Sequence, residues 1–443
     1  MLNNFRSCIF PNGYHQRVDK MREDFLHYIW KNSDVVNTQY QADTGEVIKV
    51  IDEGIPNNDQ GPDFLNAKIE IDGTLWAGTI EIHIDSADWY NHRHQDNPGY
   101  DNVILHVVDK ITKPVKNSQG RAVPTIKLIY PNNLKEKYQL LINSNTPIRC
   151  AKELPDIDNF RIQFWISGLT IERIEQKTNL INQYLTCTSN NWNEAFYVGL
   201  ARYFGMNVNA EPFEMLARSL PLLVISKHQQ NIMQLEALLF GQAGLLPQEP
   251  KDEYSKKLVD EYKFLCHKYK LQPLDKHLWK FHRLRPMNFP TVRLSQFASL
   301  IHKSSHLFSK ILESNTVEKL SKLFKCEASD YWQTHYQFGI ESKKTKKAMG
   351  KGMIESLLIN TIIPFIFIFG KKHSNEKLAD KAMELLEALP AEKNKIISDW
   401  TELGFKCDNA SISQSLIQLR KNYCDKRRCI NCQIGHLILS KYE

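Results

Sequence analysis

Two periodicities divide the chain. Between Val47 and Tyr130 apolar and polar positions tend to alternate. From about Asp156 onward, apolar residues instead recur every three or four positions. The first pattern predicts strands at Val47 to Ile51, Ala67 to Ile71, Leu75 to Asp85, Val103 to Val108 and Thr125 to Tyr130. Turn residues separate them, with Asp72-Gly73 a hairpin signal between Ile71 and Thr74. Phe25, Leu26, Ile29 and Trp30 mark one face of a short helix ahead of the strands. The second pattern predicts helices at Phe160 to Gln183, Trp192 to Phe204, Ile232 to Phe240, Tyr254 to Tyr269, Leu294 to Ile311 and Glu376 to Leu389, with no strands among them. The expected architecture is an α/β N-terminal domain on a mixed sheet, followed by a large all-α region. The expected divisions are a loose tail at 1–20, the sheet domain at 21–150, the helical domain at 151–400 and a Cys-rich segment at 401–443.

Composition adds limits rather than a function. The 443 residues, 42% hydrophobic and 24% charged, are those of an ordinary globular chain with room for two or three domains of roughly 150 residues. The formal charge of +7 permits contact with an anionic partner without demanding one. Met1 to Met21 has no apolar central run of the secretory type. The most apolar stretch, Ile354 to Phe369, is interrupted by Glu355, Ser356, Asn360, Thr361 and Pro364. It is also shorter than the ~20 residues of a membrane span, so a buried core helix and no membrane association are expected. Nine cysteines, three of them crowded near the end, fit a reducing compartment better than a disulfide scaffold. That makes the cytoplasm the expected location.

The chemistry concentrates on the strand Thr79-Ile80-Glu81-Ile82-His83-Ile84-Asp85. Alternation puts Ile80, Ile82 and Ile84 on one face and Glu81, His83 and Asp85 on the other. A hairpin brings Asp63 of Gly61-Pro62-Asp63-Phe64 near them, which offers oxygen ligands for a hard divalent cation beside a titratable imidazole. The bland alternative is a solvated outer face. Asp63, followed after a strand-like linker by Glu81-Ile82-His83, resembles the metal-binding core of the PD-(D/E)XK nuclease superfamily. The resemblance implies a restriction-endonuclease-like mixed sheet, Mg²⁺ or Mn²⁺ held by Asp63 and Glu81, and DNA or RNA as substrate. His83 stands where that superfamily usually has a Lys. It retains a base with an ordinary pKa of about 6.5 but not a fixed positive charge. Glu23, one helical turn from His27, stands where an acidic helix residue supports the metal in some of those enzymes, although a solvated N-terminal turn is the simpler account.

A longer likeness spans most of the chain. Glu23-Asp24-Phe25-Leu26-His27-Tyr28-Ile29-Trp30, Gly61-Pro62-Asp63-Phe64, Val103 to Val108, Phe240 to Leu246 and Arg283-Leu284-Arg285-Pro286 resemble a bacterial family called domain of unknown function 2851. It supplies a family likeness without an activity.

Other candidates lie outside the strand. His92-Arg93-His94-Gln95-Asp96 resembles the HxHxD zinc run of metallo-β-lactamase-like hydrolases, although Asn97 stands where a further His is usual. The alternative is a polar lid with partly buried aromatics. His106 sits in a run apolar on both faces and is expected to be a core histidine. Cys424-x4-Cys429-x2-Cys432 is a metal-ligand spacing for Zn²⁺ or an iron–sulfur cluster, with His436 or Cys407 as fourth ligand and a structural role. Lys280, Arg283, Arg285 and Arg293, interleaved with Trp279, Phe281 and Phe289, are candidate phosphate-binding residues. They equally suit pairing within a helical fold.

Three functions fit these residues: a metal-dependent nuclease-like hydrolase, a non-catalytic scaffold for nucleic acid or protein on the same fold, and a zinc hydrolase built on the His92 to Asp96 loop. Oligomeric state is not legible.

Overall fold

A computed structural model describes residues 22–440 apart from 33–34, 36–37, 58 and 155–158. The tail expected at 1–20 lies outside these residues. The chain forms two compact units, one of residues 1–162 with 422–443, the other of residues 163–421. Of the Cys-rich segment expected at 401–443, residues 401–421 group with the helical unit and residues from 422 onward with the sheet.

The sheet unit opens with helix α1, Glu23–Asn32, which buries Phe25, Leu26, Ile29 and Trp30. Its strands are β1 (Gln39–Gln41), β2 (Val47–Asp52), β3 (Ile55–Pro56), β4 (Phe64–Ile71), β5 (Thr74–Asp85), β6 (Val103–Lys110) and β7 (Thr125–Lys127). They run in the order β1-β2-β4-β5-β6-β7, with β3 on β4. Pairing is antiparallel from β1 through β5, then parallel from β5 to β6 and β6 to β7, so the sheet is mixed.

Local chemistry sets the register. Asp72 and Gly73 both take positive φ, 47° and 84°, which is the backbone a tight two-residue hairpin needs to match strand twist. The β4–β5 ladder shifts register between Phe64 and Ala67, where Asn66 has φ 58°. Such a bulge bends the strand end and re-aims its neighbours, and the neighbour here is Asp63. Ile80, Ile82, Leu105 and Val107 are buried along β5 and β6. The helix α2, Asp88–Asn91, and the loop after it occupy the crossover between those two strands. Helix α3, Asn132–Asn143, stacks Tyr138 on Phe25 with ring centroids 4.3 Å apart.

The other unit is helical, as its apolar spacing predicts. Trp192–Phe204 is found at its expected bounds, and Asn159–Cys187, Ile232–Gln242, Glu253–Tyr269 and Glu376–Glu387 lie within a few residues of theirs. The single helix expected at Leu294 to Ile311 is two, Pro290–Lys303 and Leu307–Glu313, broken where His306 takes φ 53°. A two-stranded hairpin, His335–Gln337 with Ile340–Glu341, interrupts the helices unforeseen. The helical run Lys351–Lys372 is long and apolar enough to cross a membrane by length and composition alone. Most of that apolar window is buried inside the fold, as expected of a core helix.

Candidate metal site on the mixed sheet

The site forms where α1, the start of β4, the middle of β5 and the crossover loop converge. Two hydrogen bonds tie Asp63 to Glu81 and Ile82 of β5. The Asp63 backbone N–H donates to Glu81 Oε2 at 3.2 Å, and Asp63 Oδ2 accepts from the Ile82 N–H at 2.9 Å. The two acids singled out from the sequence are therefore neighbours. The face opposite Ile80 and Ile82 is not solvated. Glu81 is 5% exposed and His83 1%, because α1 packs on β5 and the crossover loop places His92 and His94 beside His83.

Imidazoles surround the acids. His83 Nε2 lies 3.0 Å from His92 Nδ1 and 3.5 Å from Glu81 Oε1, while His94 Nε2 lies 3.1 Å from the same Glu81 oxygen. Ligand nitrogens of His83, His92 and His94 all fall within 4.8 Å of one another. Behind them, His83 Nδ1 and His106 Nε2 are 2.9 Å apart, and Thr125 Oγ1 is 3.4 Å from His106 Nδ1. His106 is a core histidine, as expected, and also the group that orients His83. From α1, His27 Nε2 contacts Asp63 Oδ2 at 3.3 Å.

Burial and charge tune these groups apart. Burial first, then the facing imidazoles His106, His92 and His94, push His83 down to about 2, so it is a neutral ligand or acceptor at any physiological pH. Burial and then His94 likewise hold His106 at about 3. Burial, followed by the Asp63 carboxylate, lifts Glu81 to about 8. Burial disfavours the charged form of His27, but the Asp63 hydrogen bond and the charges of Asp63, Glu23 and Glu81 outweigh it and raise its pKa. Glu23 is raised by burial and then by Asp63, against the lowering effect of His92. Glu23 is half-buried at this end of α1 rather than fully solvated. Tyr100, stacked 3.8 Å from the His94 ring, is pushed to about 12 by burial and by Glu81 and Asp63.

The chain belongs to the DUF2851 family. The family profile, described as a protein of unknown function, matches residues 23–395, and so takes in α1, the sheet and most of the helical unit. No curated protein and no solved structure matches the chain. In this DUF2851 chain the remaining predicted residues are dispersed. Asp96 is exposed and accepts from the Gln95 side chain at 2.9 Å, so the HxHxD run delivers its two histidines to β5 without its acid. Lys280, Arg283 and Arg285 lie exposed on the helical unit. Arg293 is 7% exposed, and its guanidinium donates to Gln296 Oε1 at 2.8 Å and Asn288 Oδ1 at 2.5 Å, so the fold itself engages it. Cys407 is in the helical unit, where burial, then Asp408 and Glu392, push its thiol to about 11. His436 Nδ1 is 2.9 Å from Tyr28 Oη in the sheet unit.

A cavity of about 500 Å³ adjoins the site. Asp63, His27 and Lys31 line it together with Asn431, Gln433 and His436 of the last segment.

Proposed function

We propose that the sheet unit is a divalent-metal-dependent, nuclease-like phosphodiesterase acting on nucleic acid. The observation that carries this reading is the pair of hydrogen bonds that tie Asp63 to Glu81 and Ile82 at the bulged end of β4, with neutral imidazoles converging on one Glu81 oxygen. The α1, antiparallel β2-β4-β5, crossover, parallel β6 order supports the likeness to the PD-(D/E)XK superfamily.

The donors fit a cation. Glu81 and Asp63 supply oxygen, and His83, His92 and His94 supply nitrogen. Imidazole softens the preference from Mg²⁺ toward Mn²⁺. A bound divalent ion lowers the pKa of a coordinated water and offsets charge on a phosphoryl group. The rest falls to the chain. His83, fixed by His106, is an orienting group rather than a substitute Lys. His27, whose proton Asp63 favours, supplies positive charge from α1 on the cavity side, where the superfamily's Lys charge is missing. The polar cavity beside Asp63 and Lys31 would seat the phosphate backbone.

The test is cleavage of single- and double-stranded DNA and RNA with Mn²⁺, Mg²⁺ or no metal. Expected are metal-dependent cleavage and its loss in Glu81→Ala and Asp63→Ala, with circular dichroism unchanged. Full activity in either variant, or no cleavage by the parent under any metal, overturns the reading. A second reading rests on the His83, His92 and His94 trio. Three imidazoles with Glu81 are also a zinc donor set, and the chain would then be a zinc hydrolase of another substrate class. One equivalent of zinc that survives dialysis, is lost in His92→Ala and supports no nucleic-acid cleavage would decide for it.

A further inference from the structure

Four buried cysteines are grouped in the sheet unit, on either side of the helical unit in sequence. Cys150 follows α3, and Cys424, Cys429 and Cys432 lie in the last segment. Their exposures are 8, 7, 8 and 7%, and all four are reduced. The backbone holds them there. Arg149 donates through Nε to the Cys424 carbonyl at 3.1 Å and through Nη1 to the Ile142 carbonyl at 3.1 Å. This clamps the residue beside Cys150 between Cys424 and the end of α3.

Cys429 opens a one-turn 3₁₀ segment, Cys429–Asn431, and the Cys432 N–H donates to the Cys429 carbonyl at 3.2 Å. The helix Gln433–Leu439 then starts, with the His436 N–H on the Cys432 carbonyl at 2.8 Å. Gly435 seats that helix on the turn. A Cβ there would fall 1.9 Å from the Cys429 carbonyl oxygen, so no side chain fits without moving the turn. Burial first, then Cys424, Cys432 and Cys429, lift the Cys150 thiol well above its ordinary value, and Cys432 acts on Cys429 in the same direction. Arg149 in turn feels the charges of Cys429 and Cys424.

We propose that Cys150, Cys424, Cys429 and Cys432 form a tetrathiolate site for a thiophilic metal centre, either a zinc ion or an iron–sulfur cluster. Thiolates are the ligands both centres take, and metal binding removes the protons that burial otherwise retains. This assigns the fourth ligand to Cys150. His436, turned to Tyr28, and Cys407, beside Asp408 and Glu392, are not required. The site has a consequence for the cavity, because Asn431, Cys432, Gln433 and His436 line it along with His27 and Asp63. The metal would fix the wall of the substrate cleft. The assignment does not depend on the nuclease reading.

The experiment uses the full chain, purified without chelator and without oxygen, and measures zinc and iron per chain with the visible spectrum. About one zinc without colour, or several irons with cluster absorption, is expected. Cys150→Ser should lose the centre as completely as Cys429→Ser, while Cys407→Ser, His436→Ala and Glu81→Ala retain it. Retention in Cys150→Ser, or neither metal in the parent chain, overturns the proposal. A second readout needs no variant to fold. In the parent chain, alkylation followed by mass mapping should show Cys150 protected with the other three and released with them by chelator. Cys150 labelling that is indifferent to chelator would equally overturn it.

Discussion

At the scale of single residues the site is organised by protons. Glu81, lifted to about 8, binds its proton more tightly in the folded chain than in the unfolded one. Its contribution to stability is therefore complete below the ordinary carboxylate range and is lost as pH rises through about 8. His83, depressed to about 2, acts in the opposite sense, and its effect ends once pH exceeds its ordinary value of 6.5. Between roughly pH 6.5 and 8 only the Glu81 effect of this pair remains, so metal-free protein should lose on the order of 1–2 kcal/mol across that window. Glu81→Gln should flatten the loss. Chemical denaturation at several pH values checks this, and an unchanged slope in the variant would mean that Glu81 is ionised throughout. Asp63 and Glu81 were legible because a turn followed by an alternating strand fixes both their proximity and their face. The burial of that face was not legible, since alternation reports only that two faces differ. His27 and His106 gain their roles from packing across elements, which no local spacing encodes.

Elements explain why the acids stay together. Helix α1 carries Glu23 and His27 on the side that meets Asp63, and Phe25, Leu26, Ile29 and Trp30 anchor it. Leu26→Ala should cost about 2–5 kcal/mol of stability. At temperatures well below its melting point it should also weaken Mn²⁺ binding, measured by calorimetry. Unaltered Mn²⁺ affinity would detach α1 from the site. Strands β2, β4, β5 and β6 were readable because turn signals such as Asp72-Gly73 bound each alternating run. The short β1 and β3 carry too few residues for a period to show. The break at His306 was missed although the polar run His302-Lys303-Ser304-Ser305-His306 interrupts the apolar spacing between Ile301 and Leu307. The hairpin at His335 to Glu341 was missed because its strands are only three and two residues long, although Tyr336, Phe338 and Ile340 alternate and Gly339 marks the turn.

The whole molecule has a discontinuous unit. The chain leaves the sheet unit after Ile162, builds the helical unit, and returns at Asn422. Contacts such as Tyr28 with His436, 408 residues apart, and Arg149 with Cys424, 275 apart, close that return. For a flexible loop of that second length the entropy cost is about 5 kcal/mol, an upper figure because the folded helical unit shortens the effective loop. Two hydrogen bonds, each worth about 1 kcal/mol net, do not offset it alone. The proposed tetrathiolate metal centre would, since structural zinc sites contribute on the order of 10 kcal/mol. A stop after Lys421 should therefore speed amide exchange in residues 22–154, most of all in α1 and α3, while leaving exchange in 163–421 unchanged. Chelator treatment of the full chain should reproduce the same pattern more weakly, because apolar packing of the helix Gln433–Leu439 remains. Exchange by mass spectrometry on both samples decides the matter. Protection in 22–154 that is untouched by either treatment would show that the sheet unit closes without its last segment.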